Sequence, residues 1–215
     1  MRCAATRRSR GFTLVEMLVS SVVMLLVMNA LYDLFTVGGR MLMVGQTRAN
    51  LQAAALVGVN GVASDLRESA LALVTVTGPG TTPTLSLRMQ DPNSGLISSF
   101  APLPYFVIYY HDPVNRTLMR KIWGNVSGDP VTFSPSPLLL NTRLSAAQLA
   151  QIIATPNGTE RAVASMVDQF AVTPSPYPVL APTAQLTISL SLSTQLQSAS
   201  YVESAMTAVA PRNKI

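Results

Sequence analysis

Residues 12–37, FTLVEMLVSSVVMLLVMNALYDLFTV, form an apolar run in which only Glu16 and Asp33 are charged. A helix needs about 20 apolar residues to cross a bilayer, so this run suffices. From Val44 onward the apolar positions recur as Val44, Leu51, Ala55, Val59, Val62, Leu66, Ala70 and Leu73. Steps of three, four and seven mark one face of a helix. Gln46, Gln52, Asn60, Ser64 and Glu68 fall mostly elsewhere, and no proline precedes Pro79. The pattern predicts one helix from about residue 12 to 73, roughly 90 Å at 1.5 Å per residue. Its first half would meet lipid or neighbouring chains, and its second half would pack on a globular domain. Gly38, Gly39 and Gly45 are weak points, each costing up to about 1 kcal/mol against alanine. They permit bending or local melting, or else close helix contacts.

After residue 78 the period changes from helical to alternating. Pro79-Gly80 and Pro83 end the helical region. Residues 84–89 alternate, and 105–111 (YFVIYYH) are aromatic and β-branched. With 117–123 (TLMRKIW) after DPVNR, the latter run predicts a hairpin. The cleanest strand is 185–194, with Leu186, Ile188, Leu190 and Leu192 on one face and Thr187, Ser189, Ser191 and Ser193 on the other. Residues 201–209 can pair with it through the turn QLQSAS. Pro-rich loops are expected at 91–104, 128–137 and 173–182. Ser145 heads a short helix to Ile153 as its cap. The fold class is α+β: a long N-terminal helix packed on an antiparallel β-sheet head.

Composition refines this picture. Charged residues make up 12% of the 215 and hydrophobic ones 48%, which is apolar for a soluble domain. The net charge of +5 is concentrated at the start, because Arg2, Arg7, Arg8 and Arg10 all precede Gly11. Without them, eleven basic residues face ten acidic ones. The cluster holds its end in the cytoplasm, and the remainder lacks the excess charge of a nucleic-acid binder. The single cysteine, Cys3, lies in the same short segment. It precedes the apolar run, whereas a lipidation cysteine follows one. The rest of the chain therefore relies on its core, without disulfides. No small-residue cleavage site follows the apolar run, as an ordinary secretory signal would require.

Glu16 is the informative charge. A carboxylate inside a spanning helix costs about 2.5–3.5 kcal/mol and needs a partner. Cleavage after Gly11 creates an amine on Phe12, four residues away. That amine on a neighbouring chain could pair with Glu16 and fix the register between chains. Alternatively, Glu16 snorkels to lipid headgroups. The string RRSR, then Gly11-Phe12-Thr13-Leu14-Val15-Glu16, then MLVSSVVMLLVMNAL resembles the class III signal of type IV pilins and type II secretion pseudopilins. The resemblance is strong over residues 7–35. It implies cleavage after Gly11 by a prepilin peptidase, N-methylation of Phe12 and a docking role for Glu16. It divides the chain into a leader (1–11), a transmembrane and assembly helix half (12–37), an amphipathic half (38–77) and a β-rich head (78–215). Residues 63–68 look similar to the end of the first helix in larger minor pilins and J-type pseudopilins. Tyr109-Tyr110 with Leu118-Met119-Arg120 resembles the Y-x(n)-L-x-R hairpin of J-type pseudopilins and W-type minor pilins. The ending 207–213 is similar to their closing strand.

Catalytic patterns are missing from the sequence. There is no P-loop, G-x-G-x-x-G or G-x-S-x-G, and His111 is the sole histidine. It is expected at a loop or strand end, and Asp112, Asp129 and Asp168 do not make an EF-hand pattern. Asp65 and Arg67, two residues apart, do not face each other on a helix and are expected to be solvated or capping. Trp123 and the aromatics of 105–110 are expected in the core. The chain is therefore expected to be a structural subunit, with no enzyme activity and no cofactor or metal. It would be a minor pilin or pseudopilin that helps initiate or cap a type IV pilus or secretion pseudopilus. Its partners would be other minor and major pilins or pseudopilins, prepilin peptidase, the inner-membrane assembly platform and the lipid bilayer, without nucleic acid. It would sit in the bacterial inner membrane, N-terminus cytoplasmic and head periplasmic, and in the filament, at the tip. The alternatives are a membrane-anchored enzyme or binding protein, and a competence pseudopilin touching DNA through Arg116, Arg120 and Lys121.

Overall fold

The computed structural model describes residues 12–69, 73–77, 84–88, 105–124, 129–134, 136–140, 142–175, 185–196 and 199–210. The expected leader with Gly11, the loop 91–104, most of 173–182 and the end of the closing strand lie outside them. The chain divides into two compact units, one up to Thr47 and one from Arg48.

Helix α1 (Leu14–Arg67) is continuous and enters both units. In the first unit every residue from Phe12 to Phe35 is exposed, and the helix is long and apolar enough to cross a membrane. The hydroxyls of this stretch are satisfied locally: Ser20 Oγ donates to Glu16 O (2.7 Å) and Ser21 Oγ to Leu18 O (2.8 Å). Such back-bonding lets a serine sit in an apolar helix without an unpaired donor. Gly38, Gly39 and Gly45 do not interrupt the helix, and a Cβ on any of them would meet nothing within 4 Å.

In the second unit α1 buries Leu51, Ala55, Gly58, Val59, Val62, Ala63 and Leu66. This is the face set out by the apolar spacing, and each large side chain on it contributes about 1.5–3 kcal/mol. The helix ends at Arg67, six residues before the expected end at 73. Ser69 causes this: its amide (3.2 Å) and its hydroxyl (2.8 Å) both return to Leu66 O. They satisfy a terminal carbonyl of the helix.

Two antiparallel sheets follow, where a single one was expected. The first has five strands in the order β1 (Thr75–Val76), β2 (Thr84–Leu87), β3 (Phe106–Asp112), β4 (Thr117–Trp123), β5 (Arg161–Ser165). The second has three, β6 (Val167–Ser175), β7 (Gln185–Leu196) and β8 (Ala199–Val209). The expected hairpin is β3–β4, in register from Phe106 opposite Trp123 to Asp112 opposite Thr117. The expected final pair is β7–β8, which runs unshifted from Leu186 opposite Val209 to Leu196 opposite Ala199. It is longer than expected, and residues 197–198 of the expected turn lie outside the described residues. Residues 173–175, expected in a loop, complete β6.

The chain changes sheets at Met166, whose φ of 61° is the left-handed region. Val167 N donates to Arg116 O (2.8 Å) and Ser193 N donates to Met166 O (2.9 Å), so this corner ties the sheets together. One core cluster joins the second-unit part of α1 to both sheets through residues such as Leu85, Tyr109, Leu118, Phe170, Ile188 and Leu190. A second cluster lies on the other face of the first sheet. Here Phe106, Ile108 and Trp123 meet Leu144 and helix α3 (Ala146–Ala154). Strand β3 thus feeds alternate residues into two cores, which explains why YFVIYYH reads as a continuous apolar run. Helix α2 (Pro137–Leu140) is a single turn that borders the Pro-rich segment. Ser145 caps α3 as expected, within a reciprocal box with Gln148.

Candidate functional site

The start of α1 is built by its own sequence. Thr13 is the residue before the helix and Glu16 is its third helical position. Glu16 N donates to Thr13 Oγ1 (3.3 Å), while Thr13 N (2.9 Å) and Thr13 Oγ1 (3.0 Å) donate to Glu16 Oε2. This is a capping box, legible in the sequence as Thr13-x-x-Glu16 but not singled out there. It satisfies end donors of the helix and fixes the carboxylate close to the terminus. Both bonds from Thr13 fall on Oε2, so Oε1 remains for another donor. Phe12 is exposed and immediately precedes the box. Phe12 and Glu16 therefore share one helical end, while Gly11 lies outside the described residues.

A second polar constellation lies in the head. Tyr109 Oη donates to Asp65 Oδ2 (2.6 Å), and Arg120 Nε donates to the same oxygen (3.0 Å). Asp65 was expected to be solvated or capping; it instead joins the helix to the hairpin. Spacing along the helix excluded only Arg67 as its partner, whereas the true partners lie 44 and 55 residues away. Burial first, then the Asp65 carboxylate, push the Tyr109 phenol well above its ordinary range. Arg120 is held more firmly protonated by Asp65, although burial opposes this.

The three cations of the possible nucleic-acid patch are each neutralised. Arg116 pairs with Asp168, Arg120 with Asp65 and Lys121 with Glu160. Lys121 is 0% exposed, and its Nζ also donates to Ile152 O and Thr155 O, both at 2.6 Å. It caps the end of α3 from inside the head. A phosphate backbone needs accessible, uncompensated cations, so these residues do not form such a surface.

The other expected positions have structural tasks. His111 is the penultimate residue of β3, and its Nε2 lies 3.0 Å from Val167 O. Asp112 accepts from Val114 N, Asn115 N and Asn115 Nδ2 and shapes the β3–β4 turn. These bonds, led by the Asn115 side chain, lower its pKa. Asp129 accepts from Gly124 N and Val131 N. Hydrogen bonding from Ser193, then Arg116, holds Asp168 below the ordinary carboxylate range. Among the described residues no three acidic, histidine or cysteine side chains gather as a metal site. Trp123 is buried, as expected, and its Nε1 donates to Val131 O (3.0 Å).

Residues 6–32 match the family model described as the prokaryotic N-terminal methylation motif. No curated protein and no solved structure matches the chain. The motif spans the capping box and the first part of the exposed apolar helix. It implies processing by prepilin peptidase and assembly with other pilins, at the inner membrane and in a pilus or pseudopilus. The chain thus joins the N-terminal methylation motif of type IV prepilins and pseudopilins to a long apolar helix packed on antiparallel sheets, a pilin-like arrangement.

Proposed function

We propose that this chain is a minor pilin or pseudopilin that helps initiate or cap filament assembly. Cleavage after Gly11 frees the amine of Phe12, which is then N-methylated. The processed chain waits in the inner membrane with its head in the periplasm and enters the filament near the tip. One observation carries the assembly mechanism. In the exposed apolar stretch from Phe12 to Val27, Glu16 is the only charge, and it sits beside the new terminus. In a bilayer that carboxylate is costly, and a neighbouring subunit's terminal amine offsets the cost only at the correct axial register. The minor role is favoured by the head, whose two sheets make a bulky unit to repeat along a shaft.

The test follows Glu16→Ala and Glu16→Gln in cells. Processing should persist while incorporation into sheared filaments falls by at least about tenfold, equivalent to 1.4 kcal/mol. Undiminished incorporation would remove Glu16 from the docking mechanism. Quantitative blotting of filaments should find the chain far below the bulk subunit. Stoichiometric abundance along the shaft would overturn the minor role.

A further inference from the structure

The exposed apolar part of α1 is too long for a bilayer. From Phe12 to Met43 it measures roughly 48 Å at 1.5 Å per residue. The hydrocarbon core is about 30 Å thick, and even a helix tilted by about 40° places only about 39 Å inside it. The charges decide which end is left over. Phe12 to Tyr32 is about 32 Å, so with Phe12 at the cytoplasmic boundary Asp33 reaches the periplasmic one. Sliding the helix the other way would draw Asp33 and Arg40 toward lipid, at about 2.5–3.5 kcal/mol each near its centre. Tyr32 is exposed and suits this boundary, where tyrosine is enriched. The headgroup layer, about 5–8 Å thick, takes the helix on to about Val37. Met41, Leu42 and Met43 then stand clear of the membrane, 69%, 76% and 60% exposed, next to an exposed Arg40. Among the described residues neither Asp33 nor Arg40 forms an ion pair.

We infer that the chain does not wait alone in the inner membrane: before filament entry, the collar Arg40–Met43 is covered by the first helix of a different pilin-type subunit lying parallel to α1. The inference rests on the filament reading above. The collar adjoins the bilayer surface on an unbroken helix, so a partner helix rising from the same bilayer meets it without bending. The collar is also continuous, through α1, with the end where a neighbour's amine docks on Glu16. Methionine side chains adapt to partners of varied shape. Asp33 and Arg40 lie about 10.5 Å apart and within roughly 20° of one face. One parallel helix that carries a base and an acid at those levels answers both. A second copy fails this requirement. Two copies share one bilayer boundary and stand in register, which sets Asp33 beside Asp33 and Arg40 beside Arg40, and like charges at an interface repel.

The test uses the full chain in cells that have prepilin peptidase but lack the assembly motor, so that no filament forms. A photo-crosslinking amino acid replaces Met41 or Leu42 and, as a control, Ser64, which is exposed in the head. Met41 and Leu42 should each give an adduct with one protein. Mass spectrometry should show that this protein begins at an N-methylated residue and is joined through its own first apolar helix. Arg40→Glu should cut the adduct from Met41 by at least about fivefold. An adduct with lipid alone, with a second copy, or with a protein lacking that N-terminus overturns the inference. So does an adduct that is equally strong from Ser64 or indifferent to Arg40→Glu. The intact mass of the free chain separates the two failures. A chain that retains residues 1–11 removes the filament reading and this inference with it, whereas a chain that begins at Phe12 and forms no adduct overturns the inference alone.

Discussion

Removing the Asp65 carboxylate leaves the Tyr109 hydroxyl and the Arg120 guanidinium without their shared acceptor in a mostly buried site. Asp65→Ala should therefore cost about 1–3 kcal/mol, read as a lower denaturation midpoint with an unchanged slope. Tyr109→Phe removes one donor and keeps the ring, so about 1 kcal/mol is expected. The pH dependence has a definite sign. A raised phenol pKa means that the folded state holds the proton more tightly than the unfolded chain. The resulting stability is fully present below about pH 10, the ordinary tyrosine value, and is lost as pH rises toward the folded value. The alkaline limb of a stability curve should shrink in Tyr109→Phe. Asp112 and Asp168 act with the opposite sign: their lowered pKa values make stability decline as pH falls through the acidic range. At this scale the sequence was informative where partners are close in the chain. Thr13 and Glu16, or Ser145 and Gln148, are three apart. The roles of Asp65 and Lys121 were hidden because their partners come from other elements.

Helix α1 approaches the sheets closely at Gly58. A Cβ there would lie 2.8 Å from Leu190 Cδ2 and 3.2 Å from Ala164 Cβ. Gly61 is one turn away, and its Cβ would be 3.8 Å from Val163 Cγ1, an ordinary contact. The same substitution should thus have opposite effects. Gly58→Ala should destabilise the head, with an overpacking cost of about 1–3 kcal/mol exceeding the helix-propensity gain. Gly61→Ala should stabilise it by up to about 1 kcal/mol. Thermal unfolding of the two variants compares them directly. Helix α3 depends on a cap at each end, Ser145 at its start and buried Lys121 at its finish. Lys121→Met should strand Glu160 and two carbonyls, at a cost of about 3–5 kcal/mol. The elements readable from the sequence were those with an unmixed period: α1, β3–β4 and β7–β8. Strands β5 and β6 were missed because RAVAS and VDQFAVTPS lack clean alternation. The left-handed corner at Met166, which separates the two sheets, carries no glycine to announce it.

For the whole molecule, the two parts of α1 have different surroundings. The exposed apolar stretch needs lipid or other helices, and the residues from Arg48 onward help to form a core shared with both sheets. In the sequence the same helix changes from an unbroken apolar run to a one-sided helical pattern. Prediction of a single sheet failed because sheet number depends on a turn between strands, not on their periodicity. The proposed function requires that the segment before Phe12 be a leader removed from the working protein. Intact-mass measurement of the chain from cells with and without prepilin peptidase tests it most directly. The expected mass in normal cells begins at Phe12 and carries one N-methyl group, while the uncleaved chain accumulates without the peptidase. A mature chain in normal cells that still retains residues 1–11 would contradict the account.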